Sequence, residues 1–91
     1  MRREADTVYL DGELTLANAR RLLDEGAAAI AEGAARFDLA GVTKVDSAAL
    51  SLMLAWRRRA LAAGRDLTFS SPPESIKSLA RLYGVDELLA I

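Results

Sequence analysis

The chain has 91 residues, 52% of them hydrophobic, enough for one domain with one core and too apolar for a disordered segment. Twelve basic and 13 acidic side chains leave a net charge of −1, which argues against general nucleic-acid binding, since that needs a basic face. Cysteine and histidine are both absent, so disulfides, thiolate metal sites, imidazole bases and Cys- or His-based nucleophilic dyads are excluded.

Met1-Arg2-Arg3-Glu4-Ala5-Asp6 has no apolar core and does not read as a signal peptide. Thr7-Val8-Tyr9-Leu10 reads as a strand, rich in β-branched and aromatic residues. Asp11-Gly12 is a turn signal before Glu13-Leu14-Thr15, which predicts a short hairpin there. Thr15 is a candidate cap for the next helix. Leu16, Ala19, Leu23, Ala27 and Ile30 recur at spacings of three and four and form its expected apolar stripe. Gly26 weakens that helix by about 1 kcal/mol relative to alanine, and Gly33 is its expected stop.

Arg36 to Leu39 reads as a second core strand, followed by a turn and then the longest helical candidate, Ser47 to Ala63, closed by Gly64. Its strongly apolar run, Ala48 to Trp56, is interrupted by Ser51 and falls far short of the roughly 20 residues needed to span a bilayer. Asp66-Leu67-Thr68-Phe69 alternates as a strand. Ser71-Pro72-Pro73-Glu74 reads as a capping box with Pro72 in the first helical position. Ile76, Leu79, Ala80 and Tyr83 then form an apolar face, Gly84 closes the helix, and Val85 to Leu89 makes a further short helical segment. The order β-β-α-β-α-β-α, with a short terminal helix, predicts an α/β fold with a largely parallel sheet and right-handed crossovers.

The stretch from Phe37 to Leu50 carries the functional signal. A strand enters a turn that delivers Asp46-Ser47 to the start of the long helix. Backbone N–H groups at such a start lack intrahelical partners, so Ser47 stands where an anion, a phosphate or a partner protein can be held. On a helical wheel at roughly 100° per residue, Leu50, Leu52, Met53, Leu54, Trp56, Ala60 and Leu61 span a wide apolar arc that also contains Arg57. The stem of Arg57 can lie along apolar surface with its charge in water. The remaining face holds Ser47, Ser51, Ala55, Arg58 and Ala62, with Ala48 at its margin. Its small side chains allow another chain to approach closely. An ordinary capping serine would look the same, as would a chance run of an abundant residue.

Asp46-Ser47-Ala48-Ala49-Leu50, preceded by Asp38-Leu39-Ala40-Gly41-Val42, resembles the signature of STAS domains, the fold of bacterial anti-sigma-factor antagonists and of some transporter accessory subunits. In those domains the Asp-Ser or Asp-Thr pair lies on the partner-binding surface, usually followed by a small residue such as glycine, where this chain has alanine. The C-terminal third, Pro73-Glu74-Ser75-Ile76 and Leu79-Ala80-Arg81-Leu82-Tyr83-Gly84-Val85-Asp86-Glu87-Leu88-Leu89, is similar to MlaB-type subunits of phospholipid-transport ABC systems.

The resemblance implies a single STAS-like domain over residues 1–91, with a small mixed sheet and helices packed mainly on one face. It implies a non-enzymatic subunit that docks on the cytoplasmic ATPase of an Mla-type transporter, cytoplasmic and peripheral to the inner membrane through that partner. Asp46, Ser47, Ala48, Ala49 and Ser51 are the expected partner-binding residues. The alternative is an anti-sigma-factor antagonist whose partner kinase phosphorylates Ser47.

Asp46 is expected to cap the helix and orient the loop, and Asp38 to serve a turn. No complete catalytic constellation, phosphate-binding glycine loop, cofactor site or metal site is evident. Arg57-Arg58-Arg59 point in different directions and read as a solvated helix end. Trp56 reads as a core residue, or as a binding hot spot if exposed.

Overall fold

The computed structural model describes residues 1–91 and begins with a strand, Arg2–Glu4 (β1), paired antiparallel with Thr7–Leu14 (β2). The hairpin turn therefore lies at Ala5-Asp6, with Ala5 at a φ of 53°, and not at Asp11-Gly12. Gly12, at a φ of 78°, sits instead at an irregularity inside β2, where the register against the next strand shifts between Gly12 and Glu13. The turn-forming pair serves as a bulge because a parallel neighbour runs along almost all of β2 and keeps the strand extended.

That neighbour is Arg36–Val45 (β3), which runs six residues beyond the expected end at Leu39. Thr68–Ser70 (β4) pairs with its start, in parallel. The sheet order is β1-β2-β3-β4, with only β1 antiparallel. A 3-10 turn, Leu16–Asn18, leads into Ala19–Ala31 (α1), which links β2 to β3; Ala48–Ala62 (α2) links β3 to β4. Both crossovers step the same way across the sheet, so their shared hand puts both helices on one face. Glu74–Leu82 (α3) and Asp86–Leu89 (α4) complete the chain. This is the expected α/β fold, a small mixed sheet with helices on one face.

Alternation along the strands separates the two faces. Val8, Phe37 and Phe69 stand in register and point into the core, with Phe37 edge-on to both Phe69 and Trp56. Tyr9, Asp38 and Ser70 form the adjacent row on the open face. There Arg2 lies over the Tyr9 ring, and Asp38 accepts hydrogen bonds from the Ser70 hydroxyl (3.2 Å) and the Ala40 N–H (2.9 Å). Asp38 thus ties two strands together rather than serving a turn.

Helices α1, α2 and α3 stop at the glycines expected to stop them, through one paired-bond motif. After α2, for example, Gly64 N–H donates to the Leu61 carbonyl and Arg65 N–H to that of Ala60, both at 2.9 Å.

Other local expectations yield to packing. The buried face of α1 is Leu22, Gly26, Ala29 and Ile30, with Leu23 and Ala27 only partly buried and Leu16 77% exposed. The predicted stripe is out of phase by one residue within α1, and Leu16 lies in the 3-10 turn before the helix. Gly26 is on the buried face because Trp56 lies against it; a Cβ there would sit 2.2 Å from the indole Nε1. Trp56 is fully buried, which settles it as a core residue.

The capping box does not form. Ser71 has a φ of 53°, Pro73 is the residue before the helix, and Glu74 takes an ion pair from Arg81 at 3.0 Å. A second proline pushes the helix start past Pro72. Tyr83, expected on the apolar face of α3, is 59% exposed. Arg57 does not send its charge to water: its Nη1 donates to the Leu67 carbonyl at 3.1 Å and ties α2 to the chain entering β4.

Candidate docking surface

Asp46 leaves β3 and meets the starts of two helical segments at once. Its Oδ1 accepts the N–H of Ala48 at 2.9 Å, and its Oδ2 accepts the N–H of Leu16 at 3.0 Å, thirty residues earlier. Asp46 is thus the cap for α2, as expected, and also caps the segment that Thr15 was expected to cap. Thr15 makes no such bond.

Ser47 is freed by this arrangement. It adopts helical angles (φ −62°, ψ −20°), makes no side-chain capping bond and is exposed. The capping reading of Ser47 fails because Asp46 already occupies that role. The open cluster of N–H donors expected around Ser47 is also absent. Ala48 donates to Asp46 Oδ1, Ala49 to the Asp46 carbonyl (3.0 Å) and Leu50 to the Ser47 carbonyl (3.2 Å). An anion arriving here meets a carboxylate and satisfied donors. Neither oxygen of Asp46 bonds the Ser47 hydroxyl; both accept backbone N–H groups.

The five expected docking residues divide. Asp46, Ser47 and Ser51 are exposed and Ala48 is partly so, all on the rim of one surface. Ala49 is fully buried and drops out as a contact: one residue further on, the helix turns it into the core.

Ser47 and Ser51, one turn apart, form a crest between two grooves. On one side is a groove of about 760 Å³ between the start of α1 and the first three turns of α2; on the other is a smaller one of about 270 Å³ reaching Leu54 and Tyr83. The larger groove draws Leu16, Ala19, Arg20 and Leu23 into the site. Helical spacing alone puts three of these, Leu16, Ala19 and Leu23, in the core. The available signal was Asn18 and Thr15 beside Leu16, which interrupt the helical pattern and mark Leu16 as lying before the helix proper.

No helix in the structure is long and apolar enough to cross a membrane. A family model described as "Mlab, STAS domain" matches residues 1–90. Among solved structures, the anti-sigma-factor antagonist SpoIIAA in its unphosphorylated form superposes with a TM-score of 0.66 and 20% sequence identity, over 89% of this chain and 78% of that one. At that identity the likeness is one of fold. No curated protein sequence matches the chain.

Proposed function

The chain belongs to the STAS domain family, and from that premise we propose that it is a non-enzymatic docking subunit for the cytoplasmic ATPase of an Mla-type phospholipid-transport ABC complex. In this reading it lies in the cytoplasm and reaches the inner membrane only through its partner. One observation carries the reading: an exposed Ser47 hydroxyl with no partner in its own chain, held on a crest between two grooves by an aspartate whose two oxygens are committed to backbone. An exposed neutral donor beside small side chains suits a protein partner that approaches closely. Ala48, at the margin of the crest, sets how closely. Binding regulates the partner by stabilising one of its assembly states, to the extent that the two states differ in affinity.

The same exposure supports a second reading, an anti-sigma-factor antagonist switched by a kinase. A phosphate on Ser47 would bring a charge of about −1.5 to −2 next to the Asp46 carboxylate, with the neighbouring helix donors already taken. It would repel an acidic or neutral partner surface.

Affinity purification of the tagged protein from its native cells separates the two. Recovery of an ABC ATPase with its membrane subunits, lost on Ser47→Asp while the variant stays folded, supports docking. Recovery of a soluble kinase, with phosphate on Ser47, replaces that reading with the switch. Normal ATPase binding by folded Ser47→Asp removes Ser47 from the interface.

A further inference from the structure

The groove between α1 and α2 has a mostly apolar lining with an arginine on each wall. Leu23, Leu52 and Ala55 contribute to the apolar lining, with Leu16 exposed at the rim, and Arg20 on α1 and Arg58 on α2 line the two sides. Both arginines are exposed and neither forms an ion pair, whereas Arg3, Arg21 and Arg81 pair with Glu32, Glu25 and Glu74. The one acidic side chain in the groove is Asp46, at the Ser47 end, so two arginines face a single carboxylate and the lining keeps a net positive charge. A chain of net charge −1 thus carries an arginine without an ion pair on each side of this groove.

The two bounding helices run side by side in the same direction, since each returns from a strand of a parallel set. A third helix fits such a channel, setting an apolar stripe at i, i+3, i+4 and i+7 on the apolar lining. Arginine heads on the two walls then meet carboxylates flanking that stripe, in the forked geometry a guanidinium favours. We infer that the groove takes an amphipathic helix of a partner protein whose apolar stripe is bordered on both sides by Asp or Glu. The inference rests on the docking reading above and adds to it the chemistry that selects the partner.

The test uses two stapled helical peptides of about 20 residues, long enough to hold a helix, with one identical Leu/Ala stripe. One carries Glu and the other Lys at the flanking positions. Each is titrated into the full chain and followed by amide chemical shifts. The Glu peptide is expected to bind at least about tenfold more tightly, to weaken with added salt, and to shift the amides of Leu16, Arg20, Ser51 and Arg58. The double variant Arg20→Glu/Arg58→Glu is expected to reverse the preference. Equal binding of the two peptides, binding of neither, or shifts confined to another face would overturn the inference. So would groove shifts that follow the chain's own concentration without peptide, which would make the occupant a second copy. The peptides do not involve the ATPase, so failure to recover an ATPase from cells leaves this result standing. Conversely, undiminished ATPase binding by Arg20→Glu/Arg58→Glu overturns the charge selection and keeps the docking reading.

Discussion

Gly26→Ala sets two physical effects against each other. Helix propensity alone makes the substitution stabilising by about 1 kcal/mol. Packing opposes it. A Cβ at position 26 would lie 2.2 Å from Trp56 Nε1, 2.5 Å from Cε2 and 2.9 Å from Cδ1. The indole would have to retreat by more than about 1 Å to restore van der Waals separation. It has little room to do so: it is fully buried, stands 4.9 Å from the Phe37 ring centroid and donates to the Leu23 carbonyl at 3.3 Å. Overpacking of this kind costs about 1–3 kcal/mol, and loss of the indole hydrogen bond about 1 kcal/mol more. After subtracting the propensity gain, Gly26→Ala is expected to destabilise the fold by about 1–3 kcal/mol, a drop of roughly 5–20 °C in Tm for a domain of this size. Urea and thermal unfolding, followed by circular dichroism and by the fluorescence of the single tryptophan, measure it. In a Trp56→Phe background the penalty is expected to shrink by at least about 1 kcal/mol, since the smaller ring leaves space beside position 26. An unchanged or raised Tm for Gly26→Ala would refute the packing argument, as would an equal penalty in both backgrounds.

Asp46→Ala removes the acceptor for two helix starts and is expected to cost about 1–2 kcal/mol in urea unfolding, more than a single cap residue usually supplies. Ser47→Ala is expected to change stability by less than about 0.5 kcal/mol, because the hydroxyl caps nothing, while weakening partner binding in a pull-down or titration. Ser71→Gly is expected to stabilise by about 1 kcal/mol, since a left-handed φ of 53° strains serine and no capping bond is lost; a destabilised variant would restore the capping box. Replacement of Ala48 by tryptophan is expected to block close approach at the crest, read as loss of partner binding by a variant with an unchanged far-ultraviolet spectrum.

The helix stops, each contained within a few residues, survived folding unchanged. The bounds of α2 follow from its apolar run and Gly64, and the ends of α1 and α3 from Gly33 and Gly84, because a helix stop is written in the residues that adopt it. The alternation of strands and helices from β2 onward, and with it the parallel part of the sheet, follows from local patterning and crossover handedness, whereas β1 was not legible as a strand. Asp46 and Ser47 were legible as the start of α2.

Most of what went differently depends on a contact from far along the chain. Asp11-Gly12 has the composition of a hairpin, yet β3 alongside keeps it extended. Asp46 caps Leu16 across thirty residues, which leaves Ser47 free and makes the crest available. Trp56 reaches Gly26 across the same separation and turns α1 so that Leu16, Ala19 and Leu23 line a groove instead of filling the core. Local propensity and periodicity act over one or two turns and fixed what each segment is. Which face of a helix is buried, and which polar atom finds which partner, was decided only when the sheet brought α1 and α2 side by side.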